Sequence, residues 1–174
     1  MREIFDDVLE QDDASYINNI VQNLSWKYVD QPTTHLKNKH WFHDCKNSEW
    51  SNDLVDMIKK GIGLEGVESV QYLFCLGHTY GTEQQSHYDE PALTMVYYPD
   101  INWKPEWGGG TLVENSLVEY KGNRVALFSG GEMWHNAQPL SKRCYDLRII
   151  VVIQCHIVNS NVNRIKWKEQ KQPI

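Results

Sequence analysis

Three residues in this chain could hold one metal ion: His87, Asp89 two positions on, and His135. In an extended segment, side chains two apart point to the same side, so the His87 imidazole and the Asp89 carboxylate can reach one cation together. A second imidazole, 48 residues later at the start of another strand-like run, would complete a set of two nitrogens and one oxygen. Such a set leaves three positions of an octahedral ion open and suits ferrous iron, although a catalytic zinc site accepts the same donors. Arg148, thirteen residues past His135 and directly before the apolar run 149–153, tilts the choice. Its planar fork grips a carboxylate through two parallel hydrogen bonds, which an organic diacid cosubstrate needs and metal hydrolysis does not. Arg143, eight residues past His135, is the alternative anchor, but its loop setting in 141–146 suits substrate or solvent better.

Those four residues need strands to carry them. From Val67 the chain consists of short runs rich in Val, Ile, Tyr and Thr, separated by Gly, Asn, Asp and Pro. The pattern predicts strands over 67–76, 79–87, 93–98, 111–113, 117–121, 124–128, 135–139 and 147–157. Gly122–Asn123 predicts a tight hairpin between the fifth and sixth of these. In the last run Ile149, Val151, Ile153, Cys155 and Ile157 share one wholly apolar face, while Arg148, Ile150, Val152, Gln154 and His156 share the other. The apolar face needs a covering layer. Two helices ahead of the strands can supply it: one over 14–24, capped by Asp12 or Asp13, and one over 48–60, stopped by Gly61. The His-, Lys- and Asn-rich stretch 33–46 lacks periodicity and reads as a loop. The expected architecture is mainly β with N-terminal helices (α+β), in one domain: a helical front over 1–66, a β core over 67–157 and a tail over 158–174.

Composition narrows the function. The 174 residues carry a net charge of −6, which gives no basic face for nucleic acid. Only Arg164–Lys171 is locally basic, as a solvated chain end commonly is. No apolar run approaches the length of a membrane span, and the acidic start lacks a signal-peptide core. With no CxxC pair among Cys45, Cys75, Cys144 and Cys155, the chain reads as cytoplasmic with reduced thiols. Gly61–Gly66 matches G-x-G-x-x-G, but a helix precedes it and a strand follows, the reverse of the dinucleotide-binding order. His40 and His43 fall in the expected loop without a third ligand nearby.

The ordered set HYD (87–89), LTMVYYPDINW (93–103), WGGGTLV (107–113), NRVALF (123–128), WHNAQPL (134–140) and LRIIVV (147–152) resembles the catalytic core of the 2-oxoglutarate/Fe(II)-dependent dioxygenases, specifically the prolyl 4-hydroxylase-like group. The resemblance implies a double-stranded β-helix (jelly roll) backed by the two helices. It also implies Fe(II) and 2-oxoglutarate, with ascorbate as a further cofactor candidate. His87, Asp89 and His135 would then be the metal ligands and, with Arg148, the catalytic set. Arg148 would hold the distal carboxylate of 2-oxoglutarate, with Tyr98, Thr94 and Tyr80 as further cosubstrate-binding candidates. The implied activity is hydroxylation of an organic substrate with O2, releasing succinate and CO2. An aspartate at 89, where related halogenases carry glycine, favours hydroxylation over halogenation. The substrate could be a prolyl residue of an exposed peptide, or a free amino acid, sugar or other small molecule, with Trp107, Trp134 and Tyr88 as a candidate wall. A zinc enzyme on a cupin-like barrel and a non-catalytic jelly-roll binding module are the readings from other classes.

Overall fold

A computed structural model describes residues 1–33, 36–82, 84–90 and 93–157; the expected tail over 158–174, including Arg164–Lys171, lies outside the described residues. In chain order the elements are β1 (Arg2–Phe5), α1 (Gln11–Gln22), β2 (Lys27–Thr33), β3 (Leu36–Asp44), α2 (Glu49–Ile62), β4 (Val67–His78), β5 (Leu93–Tyr98), β6 (Thr111–Val113), β7 (Ser116–Val118), β8 (Arg124–Phe128), β9 (His135–Ala137) and β10 (Arg148–Ile157). The strands form an antiparallel seven-stranded sheet, ordered β1-β8-β5-β10-β4-β3-β2, and an antiparallel three-stranded sheet, ordered β7-β6-β9. The chain is thus mainly β with two helices.

β10 is central to the large sheet, between β4 and β5, and its alternation organises the core. Ile149, Val151, Ile153, Cys155 and Ile157 join Ala14, Ile17 and Val21 of α1 and Leu54, Val55, Ile58 and Ile62 of α2 in one buried cluster. Each fully buried Ile or Leu in such a layer contributes about 1.5–3 kcal/mol. Ile150 and Val152 face the other way, into a second cluster with Val96, Phe128, Trp103, Trp107 and Val113.

Both helices run slightly off the sequence expectation. α1 starts at Gln11 with Glu10 as its N-cap, which puts Asp12 and Asp13 in the first turn, where their negative charge stabilises the positive end of the helix dipole. α2 passes through Gly61 and ends at Gly63, whose φ of 61° closes the helix. A side chain at Gly61 would meet the backbone carbonyl of Val8, so Gly61 serves close packing and not termination.

Four expectations need correction. Residues 36–44 form β3 and pair with β2 and β4; they are not a loop. Cross-sheet ring contacts of Trp41 with Tyr28 and of Phe42 with Phe74 outweigh the weak strand propensity of the intervening Lys, Asn and His. Among the described residues of 79–87 there is no strand: a turn closes through Thr82 N–H to Thr79 O, and His87 alone of them makes a bridge, to His135. Gly122–Asn123 is not a hairpin, because β7 and β8 belong to different sheets. The segment 1–66 is more than a helical front, since β1, β2 and β3 extend the large sheet.

Asn123 explains the third correction. At φ 59° it crosses between sheets, and its buried amide binds Leu9 from both sides, accepting from Leu9 N at 2.9 Å and donating to Leu9 O at 2.8 Å. Asn123→Ala should lower unfolding free energy by about 3 kcal/mol, read by urea denaturation, because two backbone groups lose their partners at a strained position.

Candidate metal and anion site

His87 lies on the loop before β5, and His135 opens β9 in the small sheet. Two backbone hydrogen bonds join them, His87 N–H to His135 O at 3.0 Å and His135 N–H to His87 O at 3.1 Å. Each imidazole has its Nδ1 against a carbonyl two residues back, Gln85 O at 3.1 Å and Met133 O at 2.9 Å. Those contacts suit a proton on Nδ1 and turn both Nε2 atoms toward Asp89; with a cation between them, each Nε2 would offer its lone pair, as metal-binding histidines do. His135 Nε2 lies 3.2 Å from Asp89 Oδ2 and His87 Nε2 lies 3.7 Å from Oδ1. All three donor atoms fall within 4.8 Å of one another.

Asp89 is itself held. Thr94 Oγ1 donates to its Oδ2 at 2.5 Å, and its backbone N–H bonds Gly130 O at 3.0 Å. A side chain at Gly130 would strike both Thr94 Oγ1 and Asp89 Oδ2, so glycine is required there. Burial alone would raise the Asp89 carboxyl, but the bonds from His135 and Thr94 and the His87 charge outweigh it and hold it below its usual range. Burial, with repulsion from His135, pushes His87 down. Both shifts favour the forms that bind a cation.

Arg148 begins β10 and is fully buried. Its Nε donates to Gly109 O, its Nη1 lies 3.0 Å from His78 Nδ1, and its Nη2 donates to Thr111 Oγ1 at 3.2 Å and Gly110 O at 3.4 Å. The Tyr98 hydroxyl donates to the same Thr111 Oγ1 at 2.8 Å. Two donors from the large sheet thus converge on one oxygen of the small sheet. No carboxylate pairs with Arg148 among the described residues. Gly109 fits because its φ is +74° and any side chain there would press on Arg148 Cδ at 3.0 Å.

A cavity of about 60 Å3 lies between the sheets, walled by Phe74, Leu76, Val96, Ile150 and Val152 and running from the His–Asp–His cluster to Thr111. A wider cleft, about 1100 Å3, is elsewhere, between the start of α1 and the 101–124 connections. Its two cations, Lys121 and Arg124, are paired to Asp6. The three metal-ligand candidates line the smaller cavity.

The structure brings His87, Asp89, His135, Thr94, Tyr98 and Arg148 around the space between the sheets. Tyr80 is exposed in the Thr79–Thr82 turn, outside the cavity lining. Thr94 bonds a metal-ligand candidate and so serves Asp89 before any cosubstrate. Arg143 is exposed on its loop. Of the three wall residues, Trp107 is buried against Trp103, whereas Tyr88 and Trp134 are half-exposed beside the cluster with ring centroids 4.4 Å apart. Sequence reasoning missed His78 and Thr111. His78 shares parity with Phe74 and Leu76 on β4, but only the β4–β10 register sets it opposite Arg148.

No family model and no curated protein matches the sequence. Solved structures do match in fold. A prolyl 4-hydroxylase from Pseudomonas putida aligns with a TM-score of 0.65 at 14% identity, over 90% of this chain and 92% of that one. A Trichoplax adhaerens prolyl hydroxylase, solved with a hypoxia inducible factor peptide fragment, gives 0.65 at 16% identity, over 90% and 83%. HygX from Streptomyces hygroscopicus, with nickel and 2-oxoglutarate bound, gives 0.60 at 10% identity, over 91% and 83%. In fold, then, this chain is like the prolyl hydroxylases and a 2-oxoglutarate-binding protein. No described helix is long and apolar enough to cross a membrane.

Thr94→Val should weaken binding of Fe(II) by about tenfold in anaerobic chelator competition, since Asp89 loses the bond that orients it. Stability should also fall with acid. His40, His78 and His87 are all held below the usual imidazole range, chiefly by burial. Depressed histidines bind protons more readily unfolded than folded, so their contribution is full above about pH 6.5 and is lost as pH falls below it. Urea denaturation at pH 7.5 and 5.5 checks this.

Proposed function

We propose that this chain is a 2-oxoglutarate-dependent oxygenase that hydroxylates an organic substrate, its two facing sheets forming a double-stranded β-helix. One observation carries the reading: a three-donor cation site lines a cavity that also reaches Thr111, and Thr111 accepts from a buried arginine that has no carboxylate partner among the described residues. The donor set fits ferrous iron, with two Nε2 atoms and one carboxylate on one side and the cavity on the other. HygX, bound to nickel and 2-oxoglutarate, supports the same pairing of ligands on this fold.

His87, Asp89 and His135 would hold the ion, and Arg148, with Tyr98 and Thr111 beside it, the distal carboxylate. When bound, Fe(II) and 2-oxoglutarate supply oxidative decarboxylation by O2, yielding succinate, CO2 and one oxygen atom for a substrate C–H bond. The apolar walls, Phe74, Leu76, Ile150 and Val152, keep water from the space between. Tyr88 and Trp134 stand at the open side, where a substrate would approach. Neighbours solved with a peptide fragment and with hygromycin B support a substrate presented from outside, either an exposed prolyl peptide or a small molecule.

Anaerobic titration tests the class. Fe(II) followed by 2-oxoglutarate should give a weak visible charge-transfer band, which a zinc enzyme or a metal-free binding module would not show. With O2, and with or without ascorbate, the protein should turn 2-oxoglutarate into succinate, and Asp89→Ala should abolish that turnover. Undiminished succinate from Asp89→Ala would remove Asp89 from the ligand set.

A further inference from the structure

We infer that His78 is a positioning residue for the anion site, whose Nδ1 fixes the Arg148 guanidinium in the orientation that receives the distal carboxylate. This rests on the reading of Arg148 as the diacid anchor. In the β4–β10 register Phe74 faces Val152, Leu76 faces Ile150 and His78 faces Arg148. Two adjacent strands thus line the cavity with apolar pairs and end that inward row with an imidazole and a guanidinium.

His78 is only 3% exposed. A guanidinium offers donors alone, so the 3.0 Å contact makes Nδ1 the acceptor and leaves the proton on Nε2. An imidazolium could not accept this bond, and burial together with the Arg148 charge keeps His78 neutral. Its Nε2 meets no partner among the described residues, which makes the side chain a poor choice for stability alone. The acceptor gives it a purpose. Gly109 O takes Nε, and Gly110 O and Thr111 Oγ1 take Nη2, while His78 takes Nη1. Fixing Nε and Nη1 of a planar group fixes its plane, and with it the edge turned toward Thr111 and Tyr98.

Calorimetry on the anaerobic, Fe(II)-loaded protein separates this role from a structural one. Two probes are compared: 2-oxoglutarate, and pyruvate, which has the same 2-oxo acid head without the distal carboxylate. His78→Leu should weaken 2-oxoglutarate by about tenfold, the size expected for a lost bond to a charged group, and leave pyruvate unchanged. His78→Asn, whose Oδ1 can stand in for Nδ1, should restore most of the 2-oxoglutarate affinity. Should His78→Leu not fold, His78→Met removes the acceptor at closer volume. Equal weakening of both probes, or an apolar variant that binds 2-oxoglutarate as the wild type does, would overturn the inference while leaving the anchor intact. Failure of the wild type itself to bind 2-oxoglutarate would overturn both.

Discussion

Arg148 keeps a full positive charge between two sheets, out of water, against carbonyl, hydroxyl and imidazole acceptors and, among the described residues, no carboxylate. Removing one partner of a buried ion pair costs about 3–5 kcal/mol because a lone charge remains, and here the lone charge is the resting arrangement. The surroundings are shaped to tolerate it. Gly109 leaves room for the side chain, the carbonyls of Gly109 and Gly110 face it, and Thr111 gathers both Arg148 and Tyr98 on one oxygen. A carboxylate brought into this cradle would relieve the imbalance that the fold maintains.

The rest of the molecule can be understood as support for that cradle and for the His–Asp–His cluster opposite. The large sheet has two faces with separate duties. Its outer face carries the helices and an uninterrupted apolar layer, which supplies stability without touching the chemistry. Its inner face alternates apolar walls with Thr94, Tyr98, His78 and Arg148, polar residues that act only because the small sheet stands across from them. β10 serves both faces by strict alternation, so a one-residue slip would bury the wrong row on each side.

Much of this was legible in the sequence. β5, β6 and β8 have the bounds that their residue patterns predict, and the alternation of β10 correctly assigns one row to the helices and the other to the cavity. The H-x-D spacing with a later histidine identifies the donor cluster that the fold assembles. What stayed hidden depends on partners far away in the chain. β1 is four residues long, and its role comes from pairing with β8, far along the chain, as Arg2 does with Phe128. β3 looks like a loop until Trp41 and Phe42 find their rings across the sheet. His78 carries no signal of its own until register sets it beside Arg148, and Thr111 is an unremarkable strand threonine until two donors aim at it.

The small sheet is built from strands of three residues each, and a pair of backbone bonds ties its His135 to His87, on the loop before β5. So few ladder contacts make it the natural place for the fold to breathe, with amide exchange faster there than under the helices. An ion held by His135 of the small sheet and by His87 and Asp89 of that loop would act as a rivet across that seam. Loading the metal should therefore slow the exchange of β6, β7 and β9, joining the most loosely tied part of the fold to the chemistry it shelters.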